Sequence, residues 1–133
     1  MADSMSKGYR LVQVRSKHHV KEFLQVPWYI YRNDDNWIPH LKQDIEKVFD
    51  PGKNKAFRHG DAVRWILLDS TDRCVGRVAA FVDDRVTDKY KQPTGGMGFF
   101  ECIDDRDAAF TLFDACKHWL QKRGMEAMDG PIN

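Results

Sequence analysis

The chain has 133 residues, of which 42% are hydrophobic and 31% charged, a composition typical of an ordinary globular protein. Its 21 Lys and Arg residues nearly balance 20 Asp and Glu residues, giving a net charge of +1, which argues against nucleic-acid binding through bulk charge. A chain of this length buries roughly two-thirds of the surface that its unfolded form exposes, so it needs neither a metal nor a disulfide to fold.

The first eight residues form a short polar segment that lacks the apolar stretch of a signal peptide. We therefore expect a flexible N-terminus over 1–8, a single domain over 9–133 and a cytoplasmic location. No apolar run approaches the ~18 residues that a membrane span requires, so no membrane association is expected. The histidines show no HxxxH or HExxH spacing, and a metal site is not expected.

The three cysteines, Cys74, Cys102 and Cys116, lie in apolar surroundings and none belongs to a CxxC pair. The pattern favours reduced thiols that act as small core residues. The alternative is a reactive thiol or a metal ligand.

The first half of the chain alternates strand-like and helix-like patterns, separated by turn residues. Ser16 is a plausible N-cap for the first helix, and Pro27 is expected to interrupt that helix. The predicted elements are a strand over Tyr9–Arg15, a helix over Lys17–Gln25 with a further turn over Trp28–Arg32, and a short helix over Leu41–Phe49.

The second half contains the clearest strands and the strongest helix. Ala62–Asp69 and Cys74–Asp83 are dense in apolar residues, and the four residues between them predict an antiparallel hairpin. After a polar connector over Asp84–Thr94, Gly96–Ile103 is a strand whose first glycines allow a bulge or a close backbone approach. An amphipathic helix follows, ending before Gly124 as its C′ residue, and Met125–Met128 begins a fifth strand. A right-handed crossover makes this strand parallel to the fourth.

The order β-α-α-β-β-β-α-β predicts a mixed α/β (α+β) fold, and it resembles the first part of the GNAT N-acetyltransferase fold. Several segments look like a group of largely uncharacterised bacterial GNAT-like proteins: FLQVPWYIYRNDDNWIPHL, DPGKNKAFRHGDA, VGRVAAFVDDR, GFFECIDD and WLQKRGMEAMDGPIN. The resemblance runs from about Tyr9 onward. It implies a GNAT-like mixed sheet and acetyl-CoA or another acyl-CoA as the acyl donor.

In GNAT enzymes the loop after the fourth strand carries R/Q-x-x-G-x-G/A, and its backbone amides hold the pyrophosphate of acetyl-CoA at a helix N-terminus. The resemblance assigns this backbone role to Cys102, Ile103, Asp104, Ala108 and Ala109. The aligned first turn departs from this pattern, because Asp104 stands at the Arg/Gln position. Of the aligned residues, only Ala109, at the final G/A position, matches the pattern. Carboxylates there repel a polyanion, which predicts that the usual cofactor loop is lost or rebuilt.

GNAT proteins continue with a final helix and further strands that have no counterpart before Asn133. We therefore expect an incomplete domain, either a fragment or one completed by a partner. An open sheet edge of this kind favours self-association.

The resemblance also suggests residues for the chemistry. Glu101 lies on the fourth strand, where several GNAT enzymes carry a general base; the alternative is an ordinary strand residue paired with a cation. Trp28, Tyr31 and Trp37 lie in the region that often borders the acceptor cleft, so they form either a substrate-binding wall or part of the core.

Two hypotheses follow from these residues. The first is an acyl-CoA-dependent N-acyltransferase that modifies a small amine. The second is a non-catalytic GNAT-like binding or assembly module that has lost the CoA pyrophosphate loop. The sequence names neither the acyl group nor the acceptor.

Overall fold

The computed structural model describes residues 4–6, 8–39, 41–83 and 93–132. Within these ranges the strands are β1 (Ser4–Ser6), β2 (Tyr9–Gln13), β3 (Gly60–Leu68), β4 (Cys74–Asp83), β5 (Thr94–Cys102) and β6 (Ala127–Ile132). The helices are α1 (Lys17–Ile30), α2 (Lys42–Val48), α3 (Arg106–Lys122) and a 3₁₀ helix, Lys55–Arg58. No helix in the described ranges is long and apolar enough to cross a membrane. The predicted connector Asp84–Thr94 lies mostly outside them.

The strands form one mixed sheet in the order β1-β2-β3-β4-β5-β6. Neighbouring strands from β1 to β5 are antiparallel, and β6 runs parallel to β5. The predicted order, the β3–β4 hairpin and the parallel last strand are therefore confirmed. One strand is added in front of them, because Ser4–Ser6, within the stretch expected to be a flexible N-terminus, pairs with β2.

Alternate residues of β3 face opposite sides of the sheet, and helices cover both sides. Trp65 and Leu67 are buried in the cluster that contains Leu112 of α3. Ile66, between them, is buried in the cluster that contains Phe23 of α1. Since a strand places successive side chains on opposite faces, a sheet covered on both sides needs continuous apolar strands, as β3 and β4 supply.

Helix α1 is continuous through Pro27, so the predicted interruption at this residue is wrong. Ser16 caps its N-terminus by accepting a hydrogen bond from the His19 amide, as predicted. Pro27 has no N–H for the carbonyl of Phe23, four residues earlier. That carbonyl instead accepts a hydrogen bond from Nη1 of Arg77 on β4, at 2.9 Å. A side chain from the sheet thus replaces the missing helical bond.

Strand β5 contains a bulge at Phe99. Gly98 opposes Ala79 and Glu101 opposes Arg77, so two β5 residues lie opposite a single residue of β4. Phe99 has φ of 54°, an unusual value for a residue with a large side chain. Its carbonyl accepts a hydrogen bond from Nε of Arg77 at 3.0 Å. The bulge re-aims the side chains that follow it, including Glu101.

Candidate functional site

A cleft of about 460 Å³ lies where the bulge of β5 meets the C-terminal end of α1 and the helix α2. We call it the Glu101 cleft. Three of the residues singled out in the sequence, Glu101, Tyr31 and Trp37, line it together. Its other lining residues are Ile38, Asp44, Ile45, Val48, Arg77 and Phe99.

Glu101 presents a carboxylate that is only partly satisfied. The Tyr31 hydroxyl is hydrogen-bonded to this carboxylate, and that bond, with burial, raises the pKa of Tyr31 to about 12. The second oxygen, Oε2, is buried and has no hydrogen-bond partner among the described residues. Buried carboxylate oxygens are almost always hydrogen-bonded in folded proteins, and an exception calls for an explanation. A ligand that donates a proton to Oε2 would supply one.

Arg77 places a buried positive charge beside this carboxylate. Its side chain is only 4% exposed, and it donates to carbonyls on α1 and β5. Burial lowers the pKa of Arg77 to about 10, while the neighbouring Glu101 acts in the opposite direction. Opposite charges on facing strand residues offset part of the cost of burying either one.

Arg77 was not among the residues predicted for the site. The sequence does contain a feature that indicates this role, because a lone arginine interrupts the apolar strand CVGRVAAFV. Charged side chains are rarely buried without partners, so an arginine at such a position marks a polar site inside the fold.

Trp28, Tyr31 and Trp37, which the sequence suggested as either a binding wall or part of the core, form one aromatic cluster centred on Trp37. Tyr31 stacks on Trp37 with ring centroids 5.2 Å apart, and Trp28 meets Trp37 edge-on at 5.1 Å. Only Tyr31 and Trp37 line the Glu101 cleft. Trp28 lines a neighbouring cleft and is 40% exposed, with Nζ of Lys42 lying 4.7 Å from its ring centroid. Trp28 therefore supports the wall from outside.

A second cleft, of about 670 Å³, lies at the C-terminal end of β5 and the N-terminus of α3. We call it the α3 cleft. Four of the residues assigned to the cofactor, Cys102, Ile103, Asp104 and Ala109, line it. Ala108 does not, because its side chain is fully buried in the core beneath α3.

The first turn of α3 is capped by its own acidic residue. Asp105 accepts a hydrogen bond from the Asp107 amide at 2.8 Å, and the Tyr9 hydroxyl donates to its other oxygen at 2.5 Å. The hydrogen bond to Asp105, together with burial, raises the pKa of Tyr9 to about 12. One amide in the first turn of α3 is therefore already hydrogen-bonded within the helix cap.

Two arginines also border the α3 cleft and were not singled out in the sequence. Arg32 and Arg106 both line it. Arg32 donates to the Tyr29 carbonyl at 2.7 Å, whereas the exposed Arg106 side chain makes no hydrogen bond or ion pair within the described ranges. A polyanion in this cleft would meet two guanidinium groups besides the carboxylates. The residues present thus fit an anionic group through side chains rather than through the amide loop.

No protein-family model matches the chain. Among curated proteins, it is 30% identical over 118 residues to Protein YghO of Escherichia coli (strain K12), covering 89% of this chain and 30% of that protein. It is 29% identical over 136 residues to Bacterial ceramide synthase of Caulobacter vibrioides (strain NA1000 / CB15N), covering 98% and 34%. The chain thus spans about a third of the length of these relatives.

Solved acetyltransferase structures have the same fold at low sequence identity. An aminoglycoside acetyltransferase from an uncultured soil sample, in complex with sisomicin, superposes with a TM-score of 0.59 at 9% identity, covering 95% of this chain and 78% of that one. A tandem GNAT protein from the clavulanic acid biosynthesis pathway gives 0.65 at 14%, covering 88% and 34%. AAC(6')-Iy, bound to a CoA-linked bisubstrate analogue, gives 0.58 at 12%, covering 94% and 80%. The chain has the GNAT acetyltransferase fold.

Proposed function

We propose that the protein is an acyl-CoA-dependent N-acyltransferase in which Glu101 takes the proton from the acceptor amine. The observation that carries this proposal is the buried, unpartnered Oε2 of Glu101 beside a cleft with an aromatic wall. An amine nitrogen at this point donates a hydrogen bond to Oε2, and a carboxylate within hydrogen-bond reach can accept its proton.

The reaction proposed for the site is the transfer of an acyl group from sulfur to nitrogen. The amine nitrogen forms a bond to the thioester carbonyl carbon, and the bond between that carbon and sulfur breaks. The proton lost by nitrogen goes to Glu101, which returns it to water at the end of the turnover, and the CoA thiolate leaves and takes up a proton from water. Arg77 contributes by placing a positive charge opposite Glu101 and by donating to the Phe99 carbonyl at the bulge that precedes it.

We assign the acyl donor to the α3 cleft. The fold neighbour AAC(6')-Iy is described in complex with a CoA-containing bisubstrate analogue, and this supports the use of a CoA thioester by the same fold. Arg32 and Arg106 are the side chains proposed to meet its phosphates. Asp105 remains the helix cap and plays no part in binding the donor.

The curated relative named Bacterial ceramide synthase supports amide formation in particular. A ceramide is a long-chain amino alcohol that carries a fatty acyl group on its nitrogen. The chemistry of that product requires an amine acceptor and an activated acyl donor, as in the reaction proposed for Glu101.

The second hypothesis, a non-catalytic binding module, is favoured by one observation. Asp105 occupies the Asp107 amide at the place where the fold normally binds pyrophosphate. In that case the protein would bind an amine in the Glu101 cleft and catalyse nothing.

A paired experiment separates the two. Calorimetric titration with acetyl-CoA and with a longer acyl-CoA should give saturable binding, and Arg106→Ala should weaken it; Lys117→Ala, on the exposed face of α3, is the matched control. Incubation with an amine and either donor should release free CoA thiol and yield an amide. Amine binding without donor binding or thiol release would favour the non-catalytic module.

A further inference from the structure

An apolar cavity of about 220 Å³ continues from the Glu101 cleft on the far side of Phe99. Phe99 and Val48 line both spaces, so the cavity and the cleft adjoin each other at these two side chains. The other lining residues come from the C-terminal side of α2, the 3₁₀ helix and strands β3 and β4: Phe49, Asn54, Phe57, Asp61, Ala62, Phe81, Val82 and Asp83.

The polar residues of the cavity are engaged elsewhere. Asp61 forms an ion pair with Arg123 at 2.8 Å and accepts a hydrogen bond from the Ala62 amide. The Asn54 side-chain amide donates to the Val48 carbonyl at 2.8 Å. Asp83 also lines the cavity and has a partner of its own. The rest of the lining is a surface of aromatic rings and aliphatic groups. Such a surface favours hydrocarbon over water.

The entrance to the Glu101 cleft is also apolar. Ile38 is 84% exposed and Val48 is 39% exposed, and both line the cleft. Leu41, between them in the chain, is 61% exposed. Clustered exposed apolar side chains beside a cleft mark a binding surface rather than ordinary solvent contact.

We propose that this cavity binds the hydrocarbon tail of the acceptor, so that the substrate is a long-chain amine whose nitrogen lies at Glu101 and whose chain passes Phe99. This inference rests on the proposed function of Glu101 and adds the class of acceptor. The tail belongs to the amine rather than to the acyl donor, because the cavity adjoins the carboxylate and not the α3 cleft, with which it shares no lining residue. The cavity is larger than an apolar cavity of ~150 Å³ that accommodates benzene.

The test uses n-alkylamines from butylamine to decylamine, below their micellar concentrations, with acetyl-CoA as the fixed donor. Each methylene buried in the cavity should raise affinity and kcat/KM about fourfold until the cavity is full. Lengthening the acyl chain of the donor with butylamine as the fixed acceptor should give no comparable gain. A gain confined to the donor series would overturn the proposal.

Variants of the cavity wall supply the structural check. Ala62→Phe fills the cavity and should reduce the decylamine-to-butylamine ratio of kcat/KM by at least tenfold. Phe57→Ala enlarges the cavity and should move the optimum to longer amines, which keeps the test open if Ala62→Phe fails to fold. Ala127→Phe, on β6 outside the cavity and the cleft, is the matched control and should leave the ratio unchanged.

Calorimetry with the amines alone separates this inference from the proposed function. Binding that tightens with chain length, without turnover, would contradict the acyltransferase assignment and support the tail site. Turnover or binding that does not depend on amine chain length would refute the tail site and leave the acyltransferase assignment standing.

Discussion

The guanidinium of Arg77 donates to the Phe23 carbonyl, the helical acceptor that Pro27 cannot serve. The same side chain donates to the Phe99 carbonyl at the bulge of β5 and faces Glu101 across the strand pair. One buried side chain therefore supports two irregularities of the backbone and faces the candidate base. Arg77 and Phe99 both line the Glu101 cleft, so the side chain that supports the fold is also part of the candidate site.

Replacing Arg77 by Met should destabilise the fold by about 3 kcal/mol, since two buried carbonyls lose a charged donor and Glu101 loses its opposite charge. Urea unfolding followed by tryptophan fluorescence measures the free energy of unfolding. Arg15→Met is the control: the exposed Arg15 side chain donates to the nearby Gln13 side chain, so its loss should change stability by less than about 0.5 kcal/mol. Equal effects for the two variants would contradict the structural role of Arg77.

Glu101→Gln should lower kcat for acyl transfer by roughly a hundredfold to ten-thousandfold, because the amide cannot accept the amine proton. The shape of the side chain is kept, and the far-ultraviolet circular dichroism spectrum should not change. Glu126→Gln, at an exposed position before β6, is the matched control and should retain full activity. A kcat for Glu101→Gln within threefold of the wild type would exclude this residue as the base.

Tyr31 links the aromatic wall to Glu101, and its contribution to stability should depend on pH. Its pKa is raised from 10.0 to about 12, chiefly by the hydrogen bond to Glu101. A raised pKa in the folded state means that the stabilisation is fully present below pH 10 and is lost as the pH rises through about 12. The difference in unfolding free energy between wild type and Tyr31→Phe, about 1 kcal/mol at neutral pH, should therefore shrink over that window. A difference that shrinks between pH 6 and 9 instead would rule out this hydrogen bond as the cause.

Much of the fold could be predicted because its signals are local. The continuous apolar residues of β3 and β4 identify buried strands, and the short turn between them dictates an antiparallel hairpin. The helix α3 carries both a periodic apolar face and a C′ glycine, Gly124, whose φ of 81° suits that position. Such features depend on residues close together in the chain.

The features that sequence reasoning missed depend on distant residues. The local sequence of α1 predicts a helix break at Pro27. The helix continues because a guanidinium 50 positions away, on β4, donates to the carbonyl that Pro27 leaves without a helical donor. The register shift at Phe99 is likewise set by pairing with β4. Resemblance to a fold suggested separate roles for Glu101, Tyr31 and Trp37, whereas their shared cleft and the place of Arg77 beside Glu101 depend on the three-dimensional contacts.

The three thiols should be unreactive in the native protein. Burial raises the pKa of Cys74 and Cys116 to about 12, and that of Cys102 to about 11. Since the thiolate is the reactive form, a disulfide reagent at mildly alkaline pH should modify the folded chain slowly and all three cysteines at once in denaturant. Cys102, which is only partly buried, should react first, and Cys102→Ser should remove that phase. Rapid labelling of Cys74 or Cys116 would contradict the packing described for the core.

Helix α3 packs so closely on the start of β5 that a methyl group at Gly95 should not fit. A Cβ atom there would lie 2.3 Å from Cδ2 of Leu120, a buried residue of α3. We expect Gly95→Ala to cost about 1–3 kcal/mol through overpacking. Truncating the opposing side chain creates room, so the cost of Gly95→Ala should largely disappear in a Leu120→Ala background.

Gly124→Ala provides the contrast for this double-mutant cycle. Apart from its chain neighbours, no described residue has an atom within 4 Å of a Cβ built at Gly124, but the backbone there is left-handed, so the substitution should cost about 1 kcal/mol for conformational reasons alone. That cost should be the same with Leu or Ala at position 120. Additive effects for Gly95 and Leu120, measured by urea unfolding, would show that the helix does not contact the strand at this point. Since β5 carries the bulge and Glu101 beyond Gly95, the coupling also reports how firmly α3 fixes the strand that presents the candidate base.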